Sequence, residues 1–199
     1  TDLRDRFDTS LYLAPTSDVV ALMVLEHQVR MTNLLIRIGW DHRVAAQEGK
    51  LQSEREQLTK EVEEMVAYML FGDEDQLKEP VAGVSTFSKT FAQRGPRDKQ
   101  GRSLRDFDLK TRLFRYPLSY MLYSAAFDAL PDVAREHAYR VLYDILTGKD
   151  QRKDVADHSL AHLTAQDKTA ILEIVRATKS NLPAYWNAPV GAQGGGAQK

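Results

Sequence analysis

Two short stretches with the same residue types are the first candidates for chemistry. Residues 26–30 read EHQVR and residues 136–140 read EHAYR, so each places a glutamate, a histidine and an arginine at the same spacing. Imidazole and carboxylate groups from facing helices are the ligands with which helical bundles hold iron, manganese or zinc. The repeat therefore suggests a metal or non-covalent haem site built from His27, His137, Glu26 and Glu136.

The spacing within each stretch also supports a simpler interpretation, and the sequence favours it. Di-iron bundle proteins place a glutamate three residues ahead of the histidine, whereas here the two are adjacent and point about 100° apart on a helix. Aliphatic residues surround His27, so its ring is expected to face the core and to need a hydrogen-bond partner there. On this interpretation both histidines belong to the core, and each Glu–Arg pair, four residues apart, lies on the surface.

A third candidate is a run of arginines in a segment rich in glycine. Between residues 89 and 115, nine basic residues stand against three acidic ones, a net charge of +6. The guanidinium group offers paired donors that suit anions, and glycines let backbone amides approach them. The predicted contact surface for an anionic ligand or an acidic protein partner comprises Arg94, Arg97, Arg102, Arg105, Arg112 and Arg115, with Tyr116 and Tyr120 beside them.

The preceding segment carries the opposite charge and offers a structural explanation for the arginines. Residues 48–79 hold ten acidic and four basic residues, a net charge of -6. If the basic loop lies across this acidic segment, the two neutralise each other, and the sequence favours that interpretation over ligand binding. Nucleic acid is not expected as a partner, because few aromatic residues are interleaved with the basic ones.

Composition and motifs restrict the classes of function further. The chain has 199 residues, a formal net charge of -1 and no cysteine, which excludes disulfides, thiolate nucleophiles and covalent c-type haem. No G-x-S-x-G motif is present, and the paired carboxylates lie in solvated runs, so no residue pattern indicates an enzyme. No apolar run approaches the roughly 20 residues of a membrane span. The expected function is a non-enzymatic binding or interaction domain, and the sequence leaves its oligomeric state open.

Helices are the elements that must position these residues. We expect an N-terminal arm over residues 1–16, a single helical domain over 17–187 and a disordered Gly-rich tail over 188–199. The fold class is predicted as all-α, about five helices in an irregular bundle, with a long basic loop between helices 2 and 3 and no strand pair. The helices are expected over residues 17–38 with a possible extension to 49, then 53–71, 117–130, 131–148 and 165–179, the last with a capping box at Thr164 and Asp167.

Three stretches that together cover about half of the chain carry a resemblance. They read SDVVALMVLEHQVRMTNLL, GRSLRDFDLKTRLFRYPLSYMLYSAAFDALP and TAILEIVRATKSNLPAYW, and the second is the most distinctive. The chain resembles a family of uncharacterised bacterial proteins that are predicted to be exported. That resemblance implies an extracytoplasmic setting, as the helical C-terminal part of a longer exported polypeptide, and it implies no catalytic residue. The last stretch is also faintly similar to the final helix of small cytochromes c.

Overall fold

The computed structural model describes residues 2–12, 14–150 and 152–187, about half of them in helices. The all-α fold class is confirmed. In the described ranges the chain forms six α-helices, two short 3-10 helices and one two-stranded hairpin. They are α1 Val19–Gln47, α2 Arg55–Met69, α3 Phe87–Gln93, a 3-10 helix Tyr120–Tyr123, α4 Ala125–Asp128, α5 Asp132–Leu146, β1 Asp154–Val155, β2 His158–Ser159, α6 Ala165–Thr178 and a 3-10 helix Ala184–Asn187.

Helix α1 is the longest element, and local chemistry defines both of its ends. The Asp18 side chain accepts from the Ala21 backbone N–H at 3.1 Å and so caps the first turn. The helix continues through Gly39, as the longer sequence-based alternative predicts. It stops beside Gly49, which has a φ of +68° that suits glycine at a helix end. The capping box that the sequence predicts at the start of α6 is also present, with Thr164 and Asp167 bonded reciprocally.

The core lies where α2 packs against α1 and α5, and α6 also packs against α5. Its members come from every long helix and from the segment between α2 and α5, where Leu104 and Phe114 are at most 1% exposed. The 3-10 helix at residues 184–187 closes this core with Trp186, which has no exposed surface and packs against Tyr139 and Tyr143. The basic segment is therefore part of the core as well as of the surface.

Two sequence-based expectations are wrong. Residues 117–130 do not form a long helix, because the Ser119 and Ser124 side chains each cap a separate single turn and break the run. The polar connector before α6 folds into the antiparallel hairpin of β1 and β2, where Val155 pairs with His158. A two-residue turn joins the strands, and both of its residues have positive φ values.

Helix α1 also bears on the expectation that no membrane span is present. Among the described residues it is the single helix whose length and composition would allow it to cross a membrane. A third of its most apolar stretch is buried inside the protein. Core helices of soluble proteins and signal sequences meet the same criterion, so the absence of a membrane span stays a prediction. The predicted tail at residues 188–199 lies outside the described ranges.

Candidate functional site

His27 lies in the core, as the simpler interpretation predicts. Its Nε2 atom is 2.7 Å from the hydroxyl of Ser119, which has no exposed surface. The ring lies between Tyr68 and Phe71, with centroid distances of 5.1 and 4.7 Å. Burial lowers the pKa of His27 to about 4, so the imidazole is neutral at pH 7.

The hydrogen bonds of Ser119 favour one tautomer of this neutral ring. The Ser119 hydroxyl oxygen accepts from the Met121 backbone N–H at 3.2 Å, and its proton needs an acceptor in a buried setting. The Nε2 lone pair of His27 is the acceptor within reach, which leaves the ring proton on Nδ1. Nδ1 has no hydrogen-bond partner in the described part of the chain, and His27 lines a surface cleft. The ring thus offers an N–H donor at that cleft.

The cleft opens between the first half of α1, the end of α2 and the β1–β2 hairpin, and it has a volume of about 580 Å³. We call it the α1–α2 cleft. Its walls are mainly apolar and aromatic, and ionisable side chains lie around them. The lining residues are Leu22, Met23, Glu26, His27, Arg30, Tyr68, Phe71, Gly72, Asp73, Glu74, Leu113 and His158.

Charged groups converge on the Tyr68 ring inside this cleft. The Arg30 guanidinium carbon lies 4.6 Å from the ring centroid, a cation–π arrangement. Burial raises the pKa of the Tyr68 hydroxyl to about 12, and the carboxylates of Glu26 and Glu74 add to the rise. Burial also raises the pKa of Glu74, which shows that its carboxyl group is partly withdrawn from water. Three carboxylates and one arginine give the lining an excess of negative charge.

The floor of the cleft is held by strained backbone. Phe71 and Asp73 both have a φ of +58°, a conformation that is costly for residues other than glycine. Asp73 is fixed to the hairpin, because its carboxylate accepts from the Ser159 N–H at 2.9 Å and lies 2.8 Å from Nδ1 of His158. The Ser159 bond, then the His158 bond, lower the pKa of Asp73. Strain of this kind is found most often at functional sites.

The structure does not bring the two Glu–His stretches together. His137 lies beside His42 in a separate 370 Å³ cavity, and its Nε2 atom is 3.9 Å from a carboxylate oxygen of Glu63. Since His27 and His42 are 15 residues apart on α1, about 22 Å of helix separates the two sites. Within the described ranges no three His, Cys, Asp or Glu side chains are grouped so as to hold a metal ion. The shared site suggested by Glu26, His27, Glu136 and His137 is therefore not formed.

The surface Glu–Arg pairs expected in the same stretches are also not formed. Instead, both arginines lie over tyrosine rings: Arg30 over Tyr68 at 4.6 Å and Arg140 over Tyr185 at 3.6 Å. In each stretch the arginine reaches an aromatic ring on another element, and the glutamate is left exposed. Both stretches therefore place their arginine in a cation–π contact with a tyrosine.

Most arginines of the basic segment are engaged within the protein, but their partners differ from those predicted. Arg97 binds Asp106 at 2.9 Å, and Arg102 binds both Asp98 and Glu173 at 2.7 Å. Arg112 binds Asp167 at 2.6 Å. These partners lie in the segment itself and on α6, so the expected pairing with the acidic residues 48–79 is limited to Glu74, where burial raises the pKa and a Leu113 backbone hydrogen bond and the charge of Arg112 oppose that rise. Other residues of this acidic segment pair with arginines outside the basic segment; Glu64, for example, binds Arg37 at 3.0 Å.

The remaining predicted contact residues are either buried or exposed without an ion pair in the described ranges. Arg105 lies between the rings of Phe91 and Tyr120, 4.7 Å from each centroid, and burial lowers its pKa. The Tyr120 hydroxyl donates to Gln28 at 3.0 Å, and Tyr116 is 8% exposed. Arg94 and Arg115 form no ion pair with any residue that the structure describes. Arg102, Arg112, Arg115 and Tyr116 line a second cleft of about 750 Å³ together with the start of α6.

Sequence reasoning identified only part of the α1–α2 cleft. It singled out Glu26 and His27, but not Tyr68, the strained turn at Asp73 or the contact of Asp73 with His158. A charged residue with positive φ at the end of a helix leaves no signal that distinguishes it from an ordinary surface aspartate. The one available signal was His158, in a connector of polar composition.

Comparisons of the chain with protein-family models, with curated proteins and with solved structures found no match. The extracytoplasmic setting implied by the family resemblance stays a prediction. In the described part of the chain, aromatic walls, several carboxylates and strained backbone coincide at the α1–α2 cleft.

Proposed function

We propose that this chain is a non-enzymatic binding domain whose α1–α2 cleft takes a small amphipathic molecule with a positive charge. The observation that carries the proposal is the excess of carboxylates around aromatic walls. Glu26, Asp73 and Glu74 favour a cation, and Tyr68 and Phe71 offer ring surface for an apolar or aromatic body. The Nδ1–H group of His27 adds one donor for an acceptor atom on the ligand.

The residues also support binding rather than chemistry. Ser119 lies 2.7 Å from His27, as a nucleophile would from its base, but it has no exposed surface and lies behind the ring. A substrate entering the cleft would meet the imidazole edge and not the hydroxyl group. His27 therefore acts as a fixed donor, oriented by Ser119 from behind.

A matched series of aromatic probes tests this proposal. We expect tryptamine to bind more tightly than neutral 3-methylindole, and indole-3-acetate to bind least, in calorimetric titrations of the chain. Glu74→Gln is expected to weaken tryptamine binding about two- to fivefold, since a partly solvated charge contact contributes below about 1 kcal/mol. Glu136→Gln is the matched control, because Glu136 is exposed on α5 away from the cleft.

The same series addresses a second candidate function, the binding of an anionic ligand by the basic segment. The observation in its favour is that Arg94 and Arg115 lack ion pairs in the described ranges, and that Arg115 lines the second cleft. Tighter binding of indole-3-acetate than of tryptamine, weakened by Arg115→Ser and not by Glu74→Gln, would replace the first proposal by the second.

A further inference from the structure

Helix α1 carries two apolar faces on opposite sides. One face is buried in the core and includes Val20, Val24, Met31 and Ile38. The other, which we call the outer stripe, is exposed. Its members are Leu22 (52% exposed), Leu25 (55%), Val29 (51%), Ile36 (63%) and Trp40 (67%). With an advance of about 100° per residue, these five lie within an arc of about 60° on the side away from the core.

The outer stripe is larger than scattered surface exposure would explain. Its five side chains extend over about 27 Å of helix, since each residue rises 1.5 Å. Single exposed apolar residues are ordinary, but five on one side of a single helix mark an interaction surface, even with Thr32 and Asn33 between Val29 and Ile36. The double-faced character also explains why α1 is apolar enough to meet the composition criterion for a membrane helix.

The charges beside the stripe indicate what covers it. Glu26 and Arg37 lie on the same flank, about 40° and 60° from the Leu22 direction. They are placed on either side of the midpoint of the stripe, near residue 31. When two copies of a helix pack antiparallel about a twofold axis, each flank meets the same flank of the other copy, reversed in direction. Glu26 of one copy then faces Arg37 of the other, which also binds Glu64 of its own copy at 3.0 Å through one of its amino groups, and the contact occurs twice.

We propose that the outer stripe is a dimer interface at which α1 packs antiparallel against α1 of a second copy of this chain. The apolar row of each copy covers that of the other, and the two reciprocal Glu26–Arg37 contacts set the register. A lipid surface fits less well, because it would place the Glu26 carboxylate among the headgroups, whereas the antiparallel dimer gives Glu26 a partner of opposite charge. The proposal does not require a ligand in the α1–α2 cleft, although the interface shares Leu22 and Glu26 with that cleft.

Sedimentation equilibrium of the full chain provides the first test. We expect a monomer–dimer equilibrium that Ile36→Lys weakens at least tenfold, because it places a charge in the apolar row. Val133→Lys is the matched control: Val133 is 67% exposed but lies on α5, so the dimer should persist. Thermal unfolding of each variant verifies that the fold is retained. A chain that stays monomeric at several hundred micromolar, or an equal effect of both variants, would overturn the proposal.

Charge reversal distinguishes self-association from other occupants. Glu26→Arg and Arg37→Glu each replace two attractive contacts by repulsive ones, so each variant alone is expected to dimerise roughly tenfold more weakly. Arg37→Glu also removes the ion pair with Glu64 inside each copy, and Glu64→Gln is the control for that loss. An equimolar mixture of the two variants should form a heterodimer about as stable as the unmodified dimer, since both contacts become attractive again. No recovery on mixing contradicts the antiparallel register. Flotation of the monomeric chain with anionic phospholipid vesicles, lost in Ile36→Lys, would show that a membrane covers the stripe instead.

Discussion

At the scale of single residues, His27 shows how burial changes the role of an ionisable group. A leucine would fill the same volume, but it could not satisfy the Ser119 hydroxyl, which has no exposed surface. An unpaired buried hydroxyl costs about 1–3 kcal/mol, so the histidine and the serine stabilise one another as a pair. The same pairing favours the ring proton on Nδ1, and thereby links the fold to the proposed binding site.

The lowered pKa of His27 makes stability depend on pH. The imidazole titrates near pH 4 in the folded chain and near 6.5 when unfolded, so between these values the unfolded state binds more protons. Stability from this group is complete above pH 6.5 and is lost as the pH falls towards 4, by about 3 kcal/mol in total. Urea unfolding at several pH values should show this decline, and a His27→Gln variant should show a flatter profile.

Ser119→Ala is the control for that experiment. It removes the hydrogen bond to Nε2 but keeps the imidazole buried between Tyr68 and Phe71. We expect it to lower the free energy of unfolding by about 1–3 kcal/mol at pH 7 and to retain the decline at acidic pH. If His27→Gln and the unmodified chain decline in parallel, the pH dependence arises at other groups.

At the scale of elements, the β1–β2 hairpin carries strain that sequence alone did not reveal. Its two turn residues, Ala156 and Asp157, have φ values of +47° and +66°. Turns of this kind prefer asparagine and glycine, because other side chains are strained at positive φ. The hairpin positions the His158 and Ser159 groups that hold Asp73. The geometry of the α1–α2 cleft therefore depends on a turn whose backbone conformation is strained.

Ala156→Gly is therefore expected to stabilise the chain. Glycine removes the positive-φ penalty at this position, and we expect the free energy of unfolding to rise by about 0.5–1 kcal/mol. Urea denaturation followed by circular dichroism measures the change. Ala46→Gly is the matched control: Ala46 is exposed and helical, so the same substitution should destabilise there. A loss of stability in both variants would show that the turn is not strained.

The elements that were predicted correctly are those whose capping residues and apolar spacing lie within the element itself. Helix α1 follows from its apolar spacing, and the start of α6 from the Thr164–Asp167 capping box. The prediction for residues 117–130 was wrong, because Ser119 and Ser124 each cap a single turn. This segment also contacts residues that are distant in the chain: Ser119 contacts His27, and Tyr123 contacts Thr178. The floor of the cleft was missed for a related reason: the positive φ of Asp73 is maintained by Ser159, 86 residues away.

At the scale of the whole molecule, charge segregation along the chain does not become charge segregation in space. The basic segment binds acidic groups of its own and of α6, whereas the acidic α2 binds arginines of α1 and of the region before β1, for example Glu63 to Arg152 at 3.5 Å. Each charged run is therefore neutralised locally. The opposite net charges of the two segments predicted that both would form ion pairs. Which residues form these pairs depends on the tertiary fold.

The two tryptophans report separately on the core and on the outer stripe. Trp186 is fully buried against α5, and its carbonyl accepts from Arg176 of α6, whereas Trp40 is 67% exposed. Trp186→Ala should lower the free energy of unfolding by about 3–5 kcal/mol, as for other large core truncations. Trp40→Ala should change it by less than about 0.5 kcal/mol at low micromolar concentration, where the monomer prevails.

Circular dichroism during urea unfolding measures both values, and fluorescence then adds the link to assembly. In the Trp186→Phe background, the single emission from Trp40 is expected to shift to shorter wavelength and to become less quenched by acrylamide as the protein concentration rises, because the second copy covers the ring. In the Trp40→Phe background, the emission of Trp186 should not depend on concentration.

Equal stability losses for the two alanine variants would contradict the burial assigned to these residues. A Trp40 emission that does not change with protein concentration would show that the outer stripe stays exposed in solution, and would contradict the dimer.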